Sequence, residues 1–264
     1  MGTSGAYGGS GSQPWDAAHD AYGDAAAAGE AGPSDAQIED FVNAFMQALA
    51  KTAPPVPAAS SYPLASLRPQ RAGGAGGGGG GSSSSAGGGG GRNLGRQSAR
   101  GAAAVAGASA LRTGDRATLT ELGLDLRHLD GLTTARAKCA YIVDTLLGAP
   151  SHPDEVALRA ATLRTMVEIQ KAKEPLTTTE QMELFLQHLA YEQVLVELTS
   201  QRRTDSVTPQ RAKQIEDKAK RYLRASVKAM KLPNMAKLTA QAFVSSAATL
   251  AHKVFSVFRM RDSR

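Results

Sequence analysis

Beyond residue 113 the apolar side chains return at intervals of three and four. There is neither the alternation of a half-buried strand nor a run of β-branched residues, so the pattern predicts helices throughout. A short helix is expected at Thr118 to Leu122. Leu132–Leu147 follows, with Ala135, Cys139, Ile142, Val143 and Leu146 turned inward and Gly148 as its stop signal. Ser151-His152-Pro153-Asp154 supplies an N-cap, a first-turn proline and an early acid for a helix that runs to about Lys173. Thr177 to Glu180 caps a helix through about Ser200, Thr208-Pro209 starts one that lasts until Pro233, and a last helix spans about Met235–Met260.

Upstream, one stretch has the same periodicity. Ile38, Phe41, Val42, Phe45, Met46 and Leu49 fall on one helical stripe, and Pro33-Ser34 followed by Gln37 forms a capping box in front of it. The surrounding chain is different: 24 of the 28 glycines and seven of the 12 prolines lie at or before Arg112. Chain so poor in large apolar residues is not expected to offset a backbone entropy of roughly 1–2 kcal/mol per residue. The expected fold class is therefore all-α: a compact bundle of about five to six helices, preceded by a long, mostly disordered Gly/Ala/Ser/Pro-rich arm containing one amphipathic helix. The expected divisions are a disordered acidic tail over 1–33 and an isolated amphipathic helix over 34–51. A Gly/Ser/Pro-rich, Arg-bearing linker over 52–112 and a helical domain over 113–264 complete them. An isolated helix of that length is marginal in water, so its apolar face must dock on its own domain or on a neighbouring copy; both remain open.

Charge adds a direction to this picture. The net charge is +6, but residues 1–50 carry seven acids and no Lys or Arg, while 51–112 carry seven basic residues and no acid. Residues 113–208 are net acidic and 209–264 strongly basic. Along the helix over 209–231, Ala212, Ile215, Ala219, Tyr222, Leu223, Ala225, Val227 and Met230 mostly fall on one face, while Lys213, Lys220, Arg221, Arg224, Lys228 and Lys231 gather opposite. Arg92, Arg96 and Arg100 sit in an acid-free Gly-rich segment. Cations so placed can neutralise phosphates and release counterions, giving affinity for nucleic acid, RNA favoured, without sequence preference.

The chemistry of catalysis is not apparent. His19, His128, His152, His188 and His252 are scattered, with no H-E-x-x-H, Walker or G-x-S-x-G sequence, and matches to G-x-G-x-x-G inside poly-glycine have no βαβ context. The lone Cys139 offers neither a disulfide nor a thiolate cluster, which fits an intracellular, cytoplasmic protein; no secretory signal is expected. The last helix is interrupted too heavily by Gln241, Ser245, Thr249 and Lys253 for a membrane span. No enzyme activity, cofactor, metal or small-molecule substrate is expected.

In its Ala-, Ser-, Pro- and Gly-rich composition over residues 1–112, joined to a basic, mainly helical region, the chain resembles the proline-alanine-serine-rich protein of polymycoviruses. That resemblance implies a nucleocapsid-like protein that coats viral RNA in the host cytoplasm, in a virion or ribonucleoprotein, and self-associates through its helical segments. The alternative reading is a protein-interaction or assembly adaptor whose charges serve solubility and which has no nucleic-acid role.

Overall fold

The computed structural model describes residues 13–52, 63–67, 94–150, 153–200, 207–233, 235 and 238–260. All regular secondary structure among them is helical, as the periodicity requires. In chain order the helices are α1 Gln13–Ala26, α2 Asp35–Thr52, the single turn α3 Leu64–Leu67, α4 Leu94–Thr113, α5 Arg116–Glu121, α6 Leu126–Gly131, α7 Ala135–Leu147, α8 Pro153–Lys171, α9 Thr178–Ser200, α10 Pro209–Ala229 and α11 Ala240–Met260.

Helix starts follow their capping chemistry. Gln37 N donates to Ser34 Oγ and Ser34 N to Gln37 Oε1, at 3.2 and 2.8 Å, so the capping box ahead of α2 forms. Thr177 and Glu180 make the reciprocal pair at α9. Thr208 accepts from Arg211 N with Pro209 in the first turn of α10. At the end of α7, Gly148 has φ 70°, a conformation open to glycine without strain. Three starts are displaced from expectation. Asp115 accepts from Thr118 N at 3.1 Å, so α5 begins at Arg116 rather than at Thr118. Thr134 accepts from Ala137 N, so α7 begins at Ala135 and Leu132 lies outside it. Thr239 accepts from Ala242 N at 3.2 Å, so α11 begins at Ala240 rather than near Met235.

The larger corrections concern the arm. Residues 13–26 of the supposed tail form α1, whose Trp15, Ala18, Tyr22 and Ala25 are buried at helical spacing. Trp15 meets Phe45 edge-on at 5.3 Å between centroids, and Tyr22 meets Phe41 at 5.5 Å. Through these pairs α1 covers α2, which also packs on α10 and α11. All six side chains of the α2 stripe, Ile38, Phe41, Val42, Phe45, Met46 and Leu49, are buried within this one chain.

The supposed linker likewise ends at Leu94. From there to Thr113 the chain is α4, which packs on α11, α8 and α7 and touches α5 and α9. Its buried positions are Gly95, Ser98, Ala99, Gly101, Ala102, Ala103, Ala104, Val105, Gly107, Ala108 and Ala110. Composition misled because a central helix needs no large side chains when its neighbours bring them. Phe185, Leu158 and Ile142 fill the space that α4 leaves empty, and alanine is the best helix former. The end of α4 is tied to the end of α8: Arg112 Nη1 donates to the carbonyls of Ile169 and Gln170 at 2.7 and 2.9 Å, and Nη2 to that of Ala172 at 2.6 Å. The guanidinium thus satisfies carbonyls that a helix C-terminus leaves without partners. The poly-glycine tract, within 68–93, lies outside the described residues.

Candidate functional site

Helix α9 packs between α8 and α10, and its polar side chains meet charges from both. His188 is buried, with Nε2 3.0 Å from Glu168 Oε1, and Arg224 Nη2 of α10 stands 3.7 Å from the same oxygen. The His188 hydrogen bond, helped by the charges of Arg224 and Lys220, holds the Glu168 carboxyl below its ordinary range. One turn away, buried Glu192 lies with Oε1 2.9 Å from Arg164 Nε; the approach makes an ion pair without hydrogen-bond alignment. Burial pushes the Glu192 carboxyl up, and Arg164 offsets this only in part. Tyr191 sits beside them with the Arg164 guanidinium 5.7 Å and Lys220 Nζ 5.3 Å from its ring centre, both cations facing the π-system.

This network joins α8, α9 and α10. Chemically it is a set of paired charges in which each cation meets a carboxylate or a ring. Among the described residues, no three His, Cys, Asp or Glu side chains are placed to hold a metal ion.

Glu168 also borders a groove of about 460 Å³ between α7 and α8. Its floor is Ala135, Cys139, Leu163 and Val167, and Arg136, Arg164, Gln170 and Lys171 complete the lining. Burial pushes the Cys139 thiol up to about 11, so it stays protonated at neutral pH and behaves as a small apolar group. A smaller cleft, about 210 Å³, lies between α2 and α10 and is lined by Asp35, Ile38, Lys218, Arg221 and Tyr222. Lys218 Nζ is 3.4 Å from Asp35 Oδ1 and donates to the Pro33 carbonyl. The Tyr222 hydroxyl lies 3.0 Å from Glu39 Oε1 and 3.2 Å from Asn43 Oδ1.

The cations expected to contact nucleic acid are dispersed by this architecture. Arg92 lies outside the described residues. Arg96 is exposed on α4. Arg100, on the same helix, is half-buried, donates to the Leu147 carbonyl and faces Glu155 at 3.6 Å; burial lowers its pKa and Glu155 opposes the change. On α10, Lys213 pairs with Asp217 at 2.8 Å, Lys220 faces Tyr191 and Arg224 faces Glu168. Arg221 lines the α2/α10 cleft, while Lys228 and Lys231 are exposed, Lys231 at φ 44° just past the helix end. The basic face seen in one helix is thus divided among a pair within the helix, the α8/α9 network, the α2/α10 cleft and open surface. The α8/α9 network was not read from the sequence, although Arg164/Glu168 and His188/Glu192 are each spaced by four residues on consecutive helices, the signal of facing charged stripes.

Comparison with known proteins bears on the coat-protein reading. The family model described as "QatB: Qat anti-phage system associated protein QatB" matches residues 88–259. The chain belongs to the QatB family. No curated protein and no solved structure matches it. The match starts just before α4 and ends within α11, so the Ala/Gly helix read as linker belongs to the family region, while α1 and α2 precede it.

Membership of the QatB family overturns the resemblance to the polymycovirus protein, which rested on a composition that Ala-rich helical packing also produces. With it falls the RNA-coating, nucleocapsid-like role: an anti-phage system acts against a virus rather than packaging one. Among the described residues, no helix is long and apolar enough to cross a membrane.

Proposed function

We propose that this chain is a non-catalytic assembly subunit of a Qat anti-phage system, holding another protein of that system through its helical body in the cytoplasm. The observation that carries this reading is the family match over 88–259, which takes in α4 and α5 to α10 entire. Two structural features support it. The buried titratable groups His188 and Glu192 are bound to Glu168 and Arg164 rather than facing an open pocket with a third reactive group. The α4 core, locked by small residues and by Arg112, makes a rigid platform, which lowers the ordering cost of binding. The test is co-expression of the full chain with the other proteins of its Qat system, followed by size-exclusion chromatography and a phage plaque assay. The expected result is stable co-elution with at least one of them and loss of protection when this chain is deleted. Elution of the chain alone from every pairing would refute the reading.

A further inference from the structure

Helix α8 carries apolar residues on two opposite faces. Leu158, Ala161, Thr165, Met166 and Ile169 are buried against the core. Val156, Ala160, Leu163 and Val167 follow at spacings of four, three and four. At about 100° per residue they occupy an arc of roughly 60°, centred almost diametrically opposite the core face. A helix on the outside of a bundle is normally polar there. Instead Val156 is 51% exposed, while Leu163, which packs in part against the core, and Val167 are only half-buried and line the α7/α8 groove.

The charges around this stripe have one sign left over. Arg136 and Lys171 are exposed on its borders, with no carboxylate at ion-pair distance among the described residues. Arg164 is bound to Glu192 but keeps 46% of its side chain exposed. The one carboxylate of the lining, Glu168, is already engaged inside the chain, by a hydrogen bond with His188 and by the charge of Arg224. From Val156 to Lys171 the stripe runs about 22 Å, four helical turns at 1.5 Å per residue.

We infer that the α7/α8 groove, continued along α8 to the exposed Val156 about two turns away, is the docking site for an acidic amphipathic helix of a partner protein, its apolar edge on Leu163, Val167 and Val156 and its carboxylates against Arg136 and Lys171. This rests on the assembly-subunit reading and assigns that role a place. Helix-in-groove recognition uses anchors at the three-and-four spacing found here, and flanking opposite charges set orientation and association rate.

The experiment uses the full chain and the Qat-system protein with which it co-elutes, titrated by calorimetry at low and high salt. Three variants are compared: Val156→Asp/Val167→Asp, the charge reversal Arg136→Glu/Lys171→Glu, and Lys228→Glu on α10 as a distant control, each checked for an unchanged circular dichroism spectrum. The charge reversal changes only exposed side chains and keeps the test decisive where the apolar variant fails to fold. Both groove variants are expected to weaken binding by about tenfold or more, the control by less than about twofold, and the wild-type complex to weaken with salt. Undiminished binding of the folded groove variants would overturn this site while leaving the assembly role standing. Failure of the wild-type chain to bind any of the system's proteins would overturn the role itself. Loss of the complex on nuclease treatment would assign the cations to nucleic acid, and disruption of a homodimer by the groove variants would assign the groove to a second copy; either result overturns the proposal.

Discussion

Replacing Gly101 by alanine should destabilise the protein although it improves the helix. In isolation the change favours α4 by about 1 kcal/mol, the difference between glycine and alanine in a helix interior. A Cβ at Gly101 would stand 2.6 Å from Phe185 Cζ and 2.8 Å from Leu158 Cδ1. Separations under 3.0 Å force a movement, and the buried Phe185 ring cannot swing aside as a flexible chain end would. Overpacking of this kind costs about 1–3 kcal/mol, and the approach to a ring from within α4 belongs at the upper end. The net effect is then a loss of roughly 1–2 kcal/mol, or a Tm lower by about 2–8 °C for a chain of this size. Two glycines calibrate the inference. A Cβ at Gly107 would lie 3.2 Å from Ile142 Cγ2 and 3.3 Å from Leu122 Cδ1, tight but adjustable, so Gly107→Ala should fall near neutral. At Gly23 in α1 nothing lies within 4 Å, and Gly23→Ala should stabilise by up to about 1 kcal/mol. Urea and thermal melts followed by circular dichroism give the ranking Gly23→Ala above wild type, Gly107→Ala close to it and Gly101→Ala below. Phe185→Leu should be less harmful in the Gly101→Ala background than in the wild type, a non-additivity that reports the contact itself. A Gly101→Ala protein as stable as the wild type would refute the claim that α4 is held at close quarters.

Three further outcomes follow from single side chains. Arg112→Ala leaves the last carbonyls of α8 without their charged donor and should cost about 2–4 kcal/mol in a urea melt, with Arg112→Lys recovering only part because it lacks the guanidinium fork. Gln193 is buried with neither amide atom hydrogen-bonded, so Gln193→Leu should raise the Tm, by an equivalent of about 1–3 kcal/mol; a fall would show that the amide has an ordered partner such as water. The Glu192 carboxyl titrates higher in the folded chain than its ordinary value of 4.5, so its ionisation disfavours folding above that range and the penalty disappears below about pH 4. Glu192→Gln should therefore be more stable than the wild type at pH 7.5, with a gap that closes as the pH falls; a gap constant with pH would refute the assignment to burial of the charge.

Helices with both a periodic apolar stripe and a cap were legible in the sequence. Ser34/Gln37, Thr177/Glu180 and Thr208/Pro209 fixed the starts of α2, α9 and α10 because their bonds are local, requiring only residues within one turn. Helix α4 was not legible, since its evidence is held by other helices. An Ala/Gly stretch reads as linker until Phe185, Leu158 and Ile142 are known to surround it. Trp15 and Tyr22 failed for the same reason: their spacing of seven is helical, but only the facing Phe41 and Phe45 distinguish a docked helix from a solvated tail.

Charge was misread by the same route, with a larger effect on function. Along α10 alone the cations form a continuous basic face, the pattern of a phosphate-binding helix. Folding brings the acidic helices alongside it, so Arg224 faces Glu168, Lys220 lies on Tyr191 and Lys218 reaches Asp35. A cation used in such a contact gives up less energy to an external phosphate, because binding must first break the internal pair. The converse holds beside the α7/α8 groove, where Arg136 of α7 and Lys171 of α8 lie in a stretch of sequence whose acids outnumber its bases. Sequence neighbours are not spatial neighbours: the surplus positive charge beside an apolar surface is at the α7/α8 groove, where two cations from different helices flank Leu163 and Val167.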